Sequence, residues 1–402
     1  MAYVLSRNCA ETESAGAPKG AGGFALPELG THAGEVAQIT VKRAPMEFNI
    51  RKDGDDWKVV EKAGYPAKMD AIRSALVGLA QLKLEEPKTT RPDQYAKLGV
   101  DDPVAPPPDS ADKAVPQSVL VTLRDGAGKD LGSIILGNPK YGGQGVLGSN
   151  TAQGVYVRKP GDAQSWLASG QVELPHEPIG WLEPKFADVK RDRIKSVVVT
   201  HLSGAGVSMV AVGRERQADP FVVKDIPAGR ELKDPGVGES IAATLTGLSF
   251  QDVAGANVLD RAGMDVKPGP TIVLRTFDGL VVTASSTTKD AKAWWRLIAS
   301  ADDAIVAGLP LAAAVNAAPA DGAKPGDPPT PPTPPPPLSA SPPVSTQEAI
   351  GKEVAELNGL WAGFAFAPVD WKVRSVNTTM LELLKEPAAP ATPGLPSPTS
   401  KP

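Results

Sequence analysis

Cysteine is almost absent from this 402-residue sequence, which contains only Cys9. A single cysteine cannot form an intrachain disulfide, so the redox state of its compartment cannot be read from thiols. Cys9 lies in a stretch rich in glycine, alanine and serine, before any periodic segment. Lipid attachment at Cys9 is an alternative, but Ser6, Arg7 and Asn8 lack the small apolar pattern that such sites need.

Long apolar runs are also missing. No stretch of 18 or more apolar residues occurs, so the sequence predicts no membrane-spanning helix, and residues 1–7 are too short for a signal peptide. Residues 2–7 nevertheless resemble the last turn of an apolar helix with an interfacial tyrosine and arginine. We therefore expect residues 1–24 to be a flexible leash that carries a remnant of a membrane anchor. A disordered cytosolic N-terminus is the alternative.

Neither sign of charge dominates. The sequence has 42 lysines and arginines against 46 aspartates and glutamates, and its net charge is -4. This balance excludes an overall electrostatic attraction to nucleic acid or to an anionic membrane surface. With 41% apolar residues, the chain is long enough for two domains that each bury a core.

Catalytic and metal-binding patterns are scarce. The histidines His32, His176 and His201 are far apart, and none has a second histidine or cysteine at metal-ligand spacing. No serine lies in a G-x-S-x-G elbow. The G-x-G-x-x-G run at 143–148 precedes a predicted strand instead of the helix that a dinucleotide site requires, so it indicates a hairpin loop. The sequence thus predicts no catalytic, cofactor-binding or metal-binding residues and no cofactor.

Two polar clusters leave an enzymatic alternative open. Asp101 and Asp102 are adjacent carboxylates, and His176 precedes Glu177, so a hydrolase or carbohydrate-active enzyme could use these groups for acid–base chemistry. Turn formation explains the aspartates, and a solvated loop explains the histidine, more simply.

Three further clusters have structural explanations that we prefer. The acidic turn at 53–56 lacks the glutamate that an EF-hand calcium loop carries at its twelfth position. Trp294-Trp295, Trp361 and Trp371 could stack on sugars or on a partner, but their apolar surroundings favour core or interface packing. The basic run at 190–195 is expected to be a solvated approach to a strand.

Proline concentrates in two tracts, at residues 319–343 and 387–402, and neither composition can form a packed core. In the polyproline II conformation, at ~3.1 Å per residue, the first tract is a stiff spacer roughly 80 Å long. A PxxP ligand at residues 331–337 is the alternative.

Apolar residues at helical spacing over 347–360 need a core, so we expect residues 346–384 to fold back onto the preceding domain.

Strand patterns in hairpin order begin after the leash, and three short runs with a Gly-containing turn at residues 53–56 predict an antiparallel meander. Ile72, Leu76 and Leu79 recur at helical spacing, and residues 92–98 predict a short helical turn that ends at Gly99. The strands are predicted at residues 36–41, 46–52, 57–62, 118–124, 131–136 and 155–158.

The same order of landmarks returns after Trp181, which indicates an internal duplication. Each copy predicts a meander, a helical pair and a returning hairpin, so the fold class is α+β with helices on one sheet face. Trp57 and Phe221 are the expected core anchors of the two copies. The matched stretches are 38–42 with 196–200, 56–60 with 220–223, 76–79 with 245–248, 98–101 with 262–265, and 120–126 with 272–279.

A helix is also predicted at residues 291–306, after the second copy. The full division is a leash at 1–24, a first α+β module at 25–180, a second at 181–315, a proline-rich disordered insert at 316–345, a helical segment that packs back on the second module at 346–385, and a disordered tail at 386–402.

Residues 57–60 (WKVV), 65–67 (YPA), 95–103 (YAKLGVDDP) and 134–137 (IILG) resemble the bacterial family called domain of unknown function 4340. The resemblance extends over about residues 25–385, and the YxxLGVDDP run is its most specific part. Members of that family typically carry an N-terminal membrane helix and an extracytoplasmic body, and some are auxiliary parts of ABC transport systems of the gliding-motility type.

The resemblance implies a protein of the cell envelope, at the extracytoplasmic face of the inner membrane, with a protein partner and no established reaction. We expect a non-catalytic binding or scaffold protein, tethered through an N-terminal helix missing from this chain. A transport complex is the suggested partner, and no nucleic-acid partner is expected. The alternatives are the hydrolase or carbohydrate-active enzyme above and a purely structural spacer between membrane and wall.

Overall fold

The structure, a computed structural model, describes residues 21–105, 115–141, 152–203, 206–259, 267–311 and 345–386. The chain divides into two units, residues 1–183 and 184–402. In the described ranges, no helix is long and apolar enough to cross a membrane. The glycine-rich run at 143–148 lies outside the described residues, as do residues 1–20 of the expected leash and residues 312–344 and 387–402.

The first unit contains an antiparallel sheet of nine described strands, in the order β4-β3-β2-β1-β6-β7-β8-β9-β5. The strands are β1 (Val36–Arg43), β2 (Met46–Asp53), β3 (Asp56–Val59), β4 (Tyr65–Pro66), β5 (Lys83–Pro87), β6 (Val119–Asp125), β7 (Asp130–Tyr141), β8 (Ala152–Arg158) and β9 (Ser165–Ser169). The α-helices are α1 (Pro27–His32), α2 (Met69–Gln81) and α3 (Tyr95–Leu98), and 3-10 turns occupy Ala33–Glu35, Val60–Lys62, Pro92–Gln94 and Pro178–Trp181.

The second unit contains another antiparallel sheet of nine described strands, in the order β13-β12-β11-β15-β16-β17-β18-β14-β10. The strands are β10 (Lys185–Ala187), β11 (Ile194–Ser203), β12 (Gly206–Gly213), β13 (Val222–Val223), β14 (Leu248–Gly255), β15 (Lys267–Thr276), β16 (Leu280–Lys289), β17 (Lys292–Ala301) and β18 (Phe364–Pro368). The α-helices are α4 (Val237–Ala242), α5 (Asp303–Val306), α6 (Gln347–Trp361), α7 (Asp370–Asn377) and α8 (Met380–Leu383), and 3-10 turns occupy Arg191–Arg193, Ala243–Leu245 and Ala256–Leu259.

Eight strands follow the same order in both sheets, which agrees with the predicted duplication. The strands β3-β2-β1-β6-β7-β8-β9-β5 correspond to β13-β12-β11-β15-β16-β17-β18-β14. The pairings of β1 with β6 and of β11 with β15 each contain a bulge, just before Gln38 and just before Ser196 respectively. The predicted match of residues 38–42 with 196–200 is therefore confirmed, and the fold class is α+β.

Alternating burial explains why these segments are strands with one covered face. Ile39 and Val41 of β1 are buried, and so are their counterparts Val197 and Val199 of β11. The expected anchors Trp57 and Phe221 are 5% and 4% exposed; Trp57 lies in β3, and Phe221 immediately precedes the equivalent strand β13. All six strands predicted in the first copy are present, although residues 60–62 of the third form a 3-10 turn.

The helix predicted at residues 291–306 is wrong. The segment forms β17, which pairs with β16 over ten residue pairs, and only Asp303–Val306 is helical. Asp290 and Ala291 both have positive φ, at 52° and 59°, as in the type I′ turn that joins two strands of a hairpin. Because this turn lacks the usual glycine, the sequence contains no recognisable hairpin signal here.

One matched landmark is also wrong. Residues 76–79 lie in α2, whereas Leu245 ends a 3-10 turn and Leu248 begins β14. Thr246 is already extended, with ψ of 125°, and Gly247 has φ of 55° in the left-handed region, so helical structure ends at Leu245. The landmark at 262–265 lies outside the described residues.

The segment after the proline-rich insert packs into the second unit. The Thr346 side chain accepts a hydrogen bond from the Ala349 N–H and caps α6. Asn358 of α6 makes two hydrogen bonds to the Ala299 backbone, at 2.8 and 2.9 Å. The Trp361 indole donates to the Phe186 carbonyl at 2.8 Å. After α6, β18 inserts between β14 and β17 of the sheet.

Candidate binding site

The Y-x-x-L-G-V-D-D-P run that begins at Tyr95 packs onto the first unit's sheet. Tyr95, Val100 and Ile135 form a buried apolar cluster. Gly99 ends α3 in the left-handed region, with φ of 67°. A Cβ at Gly99 would lie 2.7 Å from the side-chain oxygen of Asn138. Both the conformation and the close approach therefore require glycine.

Arg158, which is 3% exposed, holds this run in place. Its Nε donates to the Val100 carbonyl at 2.9 Å, and its Nη1 donates to the Asp162 carbonyl at 3.1 Å. Its Nη2 lies 2.8 Å from Asp102 Oδ1, and the guanidinium lies 4.6 Å from the centre of the Tyr95 ring. Asp102 is therefore committed to a structural ion pair.

The groups behind the enzymatic alternative have different surroundings. Burial raises the pKa of Asp101, and the positive charge that opposes this shift belongs to Arg158. Burial and the charge of Arg43 lower the pKa of His176, against a smaller opposing effect of Glu177. Because their charged neighbours differ, the described contacts do not unite the aspartates and the histidine in one acid–base arrangement.

The acidic turn at residues 53–56 also has a structural explanation. Asp53 Oδ2 accepts a hydrogen bond of 2.5 Å from Lys58 Nζ, and this bond lowers the pKa of Asp53. Throughout the part of the chain that the structure describes, no group of three or more His, Cys, Asp or Glu side chains could hold a metal ion.

The basic run at residues 190–195 is paired with acidic groups instead of being simply solvated. Lys190 Nζ lies 2.6 Å from Asp188, and Arg191 Nη2 lies 2.6 Å from Glu239. Arg193 binds Asp278 and Glu353, and Lys195 Nζ lies 6.0 Å from the centre of the Phe277 ring. Little positive charge is left in this run to attract an anionic partner.

Arg193 is the centre of a partly buried polar cluster that borders a cavity of about 610 Å³. Its Nη1 and Nη2 each lie 2.8 Å from one oxygen of Glu353, and its Nε lies 2.8 Å from Asp278 Oδ2. Burial alone would raise the pKa of Asp278, but hydrogen bonds from Thr276, Arg193 and Ser345 hold it below its ordinary value. The donors and acceptors of this cluster satisfy one another, so we assign it a structural role.

Trp371 is the exception among the tryptophans that the sequence suggested for the core. Trp294, Trp295 and Trp361 are buried as expected, whereas Trp371 is 58% exposed. It borders an open cavity of about 640 Å³ in the second unit. The cavity is lined by Arg191, Glu239, Ser240, Ala243, Trp371, Arg374 and Ser375.

Helix α7 presents Trp371 and Arg374 on one face, because residues three apart are neighbours on a helix surface. On its other side the helix is anchored by Lys372, which is 2% exposed. Lys372 Nζ donates to the carbonyls of Ala243 and Thr246, and it lies 4.5 Å from the centre of the Trp371 ring. The ring thus covers a buried amine with part of its surface and exposes the rest.

Arg374 is exposed and, within the described ranges, has no ion-pair partner. Arg191, by contrast, also lines the cavity but is paired with Glu239. An exposed indole beside an unpaired guanidinium can bind an apolar or aromatic surface and a carboxylate at once. Among the described polar and aromatic groups considered above, Trp371 and Arg374 contribute least to stabilising the fold.

Burial lowers the pKa of Lys372 from 10.5 to about 8. Below pH 8 the folded and unfolded states both carry the proton, and burial of the charge is fully destabilising. Between pH 8 and 10.5 the folded state loses the proton first, so stability rises with pH. We expect wild type to gain roughly 3 kcal/mol relative to Lys372→Met over this interval, measured by urea unfolding.

Lys352→Met is the matched control for this measurement, because Lys352 is 76% exposed on α6. Its difference from wild type is expected to stay constant over the same pH interval. A constant difference for Lys372→Met as well would show that the Lys372 amine remains charged in the folded protein.

The family model described as domain of unknown function (DUF4340) matches residues 57–267, which is more than half of the chain. The chain belongs to this family. The matched DUF4340 segment includes the whole Y-x-x-L-G-V-D-D-P run and Arg158, so the structural cluster around Arg158 lies inside it, while Trp371 and Arg374 lie outside. Neither a curated protein nor a solved structure matches the chain.

Sequence reasoning named Trp371 but expected it to be packed, and it missed Arg374. The available signal was local: α7 has aspartate, lysine, arginine and serine around a single tryptophan, so its apolar stripe is too narrow to bury every large residue.

Proposed function

We propose that this DUF4340 protein is a non-catalytic binding or scaffold protein of the cell envelope, and that Trp371 is the centre of its binding site for a protein partner. The observation that carries the proposal is the 58% exposed indole at the rim of an open cavity. The partner class suggested by the family resemblance is an ABC-type membrane transport complex, for which this protein is an auxiliary component.

The chemistry of the site supports a protein partner. Tryptophan and arginine are the residues that contribute most to protein interfaces, and they do so where they enter concave, well-packed surfaces. Trp371 lies on α7, which Lys372 anchors to the rest of the unit. Little conformational freedom is therefore lost when a partner packs on the indole. Arg374 adds a charge-assisted contact to a partner carboxylate or carbonyl.

The remaining polar groups support a binding role over a catalytic one. Asp102 is paired with Arg158, and Arg193 is paired with Glu353 and Asp278. Each of these groups stabilises a local fold contact, and Arg193, Asp278 and Glu353 do not line the Trp371 cavity of their own unit.

The test is site-specific photo-crosslinking in intact cells of the native host. A benzophenone amino acid in place of Trp371 is expected to give one discrete adduct with another protein. The same amino acid in place of Tyr141 is the matched control, because Tyr141 is also an aromatic residue that is 58% exposed and lies in the first unit. Equal labelling from both positions, or none from Trp371, would contradict a binding site there.

Localisation is tested separately by fractionating the same cells and adding protease to intact spheroplasts. Sedimentation with membranes together with cleavage from outside supports the envelope assignment. A soluble and protected protein would contradict the envelope assignment, although a crosslink at Trp371 would still support the binding site.

A further inference from the structure

The edge of β12 has a stretch of backbone with no strand beside it. The Ala211 carbonyl accepts a hydrogen bond of 2.7 Å from the Lys224 N–H, so the backbone groups of Ala211 point away from β11. Backbone direction alternates along a strand. The N–H and C=O groups of Met209 and Val207 therefore point to the same outer edge.

No other strand of the described residues pairs with this part of β12. Strand β13 pairs with β12 only at Val212 and Gly213. Asp225, which follows Lys224, has φ of 56° in the left-handed region, and the chain turns away there. Beyond Ala211, the backbone of Met209 and Val207 is open.

The equivalent edge of the first unit is protected. By the paired registers of the two sheets, Asn49 corresponds to Ala211 and Glu47 to Met209. The Asn49 N–H donates to the Glu61 carboxylate at 2.8 Å. Glu47 lies 3.2 Å from Lys42 in an ion pair. Charged side chains at a strand edge oppose pairing with another chain.

The second unit has apolar side chains at the same place. Its β11–β12 hairpin runs two residue pairs further than the β1–β2 hairpin and adds the pair Leu202 and Val207. Leu202, Val207 and Met209 are 61%, 65% and 54% exposed. They lie on the outer face of the sheet, because side chains alternate between faces along a strand, and Val199 of β11 and Val210 of β12, which point to the other face, are buried.

We infer that the open edge of β12 binds an extended apolar segment of another protein as an added strand, through the backbone of Val207 and Met209. Unpaired N–H and C=O groups at strand spacing specify an extended backbone as the ligand. The side chains of Leu202, Val207 and Met209 select apolar residues at alternate positions of that segment. These residues differ from those of the Trp371 site, and the inference stands whether or not that site binds a partner.

A peptide segment fits this edge better than a second copy of the chain. The open stretch runs from Val207 to Val210, about four residues or roughly 14 Å. Pairing over this length joins about four residues of each copy, far fewer than the roughly 20–30 residues a side of a stable interface between folded proteins. A flexible segment can bend over the apolar side chains as well as pair with the edge.

The probe is a fluorescein-labelled synthetic peptide with the sequence of residues 196–203, S-V-V-V-T-H-L-S. It is a strand-forming segment with several apolar residues that spans the open stretch, and in the fold the same sequence pairs with the opposite edge of β12. Saturable binding to the purified full chain is expected by fluorescence polarisation. Met209→Pro removes the outward N–H without removing a bond to β11, and is expected to weaken binding at least about tenfold. Met209→Thr keeps the N–H and is expected to weaken it less than about threefold.

The peptide itself supplies a second readout on the unmodified protein. N-methylation of one set of alternate residues is expected to abolish binding, and N-methylation of the other set to leave it, because only one set faces β12. Absence of saturable binding to the wild-type chain overturns the inference, as does equal loss with both methylated peptides. A dimer in sedimentation experiments that Met209→Pro dissociates would assign the edge to a second copy and would also overturn it.

Discussion

Arg158→Met is expected to lower the free energy of unfolding of the first unit by about 3–5 kcal/mol. The variant removes three polar contacts and the stacking on Tyr95 at once. The carbonyls of Val100 and Asp162 lose the donor that Arg158 supplies, and an unsatisfied buried acceptor is costly. Urea unfolding followed by circular dichroism measures the change.

Two further variants separate the contributions. Asp102 is 62% exposed, so Asp102→Asn is expected to cost less than about 1 kcal/mol. Arg158→Lys keeps the charge but replaces three donor nitrogens by one, which cannot reach all three acceptors, and its cost is expected to lie between the other two. If Asp102→Asn were as destabilising as Arg158→Met, the ion pair and not the carbonyl contacts would be the source of stability.

Arg193→Leu is expected to lower the free energy of unfolding of the second unit by about 3 kcal/mol at neutral pH. The substitution leaves two partly buried carboxylates, Asp278 and Glu353, without their common counter-charge. It also releases α6 from the turn between β15 and β16, where Asp278 lies. Urea unfolding at several pH values measures both the size and the pH dependence of the loss.

The sign of the pH dependence follows from the pKa of Asp278, which lies below its ordinary value in the folded state. A lowered carboxyl pKa stabilises the fold above the unfolded pKa, and this contribution disappears as the pH falls through the folded pKa. The loss caused by Arg193→Leu is therefore expected to shrink on acidification. Arg275→Leu is the control, because the Arg275 side chain is 50% exposed in its ion pair with Asp302. This variant is expected to cost less than about 1 kcal/mol at any pH. A loss for Arg193→Leu that is independent of pH would show that packing, not charge, is responsible.

The strands of the first unit could be predicted because their apolar residues alternate and because glycine marks turns such as those between β2 and β3 and between β6 and β7. Strand β17 could not, because Asp290 and Ala291 adopt positive φ without glycine, and because a run such as Lys292–Ala301 has apolar residues compatible with either period. Pairing with β16 decided in favour of a strand.

The candidate site shows a similar division. Asp101 and Asp102 drew attention as adjacent carboxylates, but a sequence cannot show that Arg158, 56 residues after Asp102, has Asp102 as its partner. Trp371 was recognised as chemically significant, yet its exposure depends on Lys372 anchoring the opposite side of α7. The narrow apolar stripe of α7 indicates that a large residue stays exposed, but which residue it is depends on packing.

By itself, the sequence determined the α+β class, the duplication, the end of a helical turn at Gly99 and membership of the DUF4340 family. Alternation of apolar residues, turn chemistry and repeated landmarks are all properties of local sequence. Only the tertiary structure decided which charges are neutralised, which tryptophan remains exposed and which strand edge stays open. Those properties depend on contacts between residues far apart in the chain, such as the Arg193–Glu353 pair, which spans 160 positions.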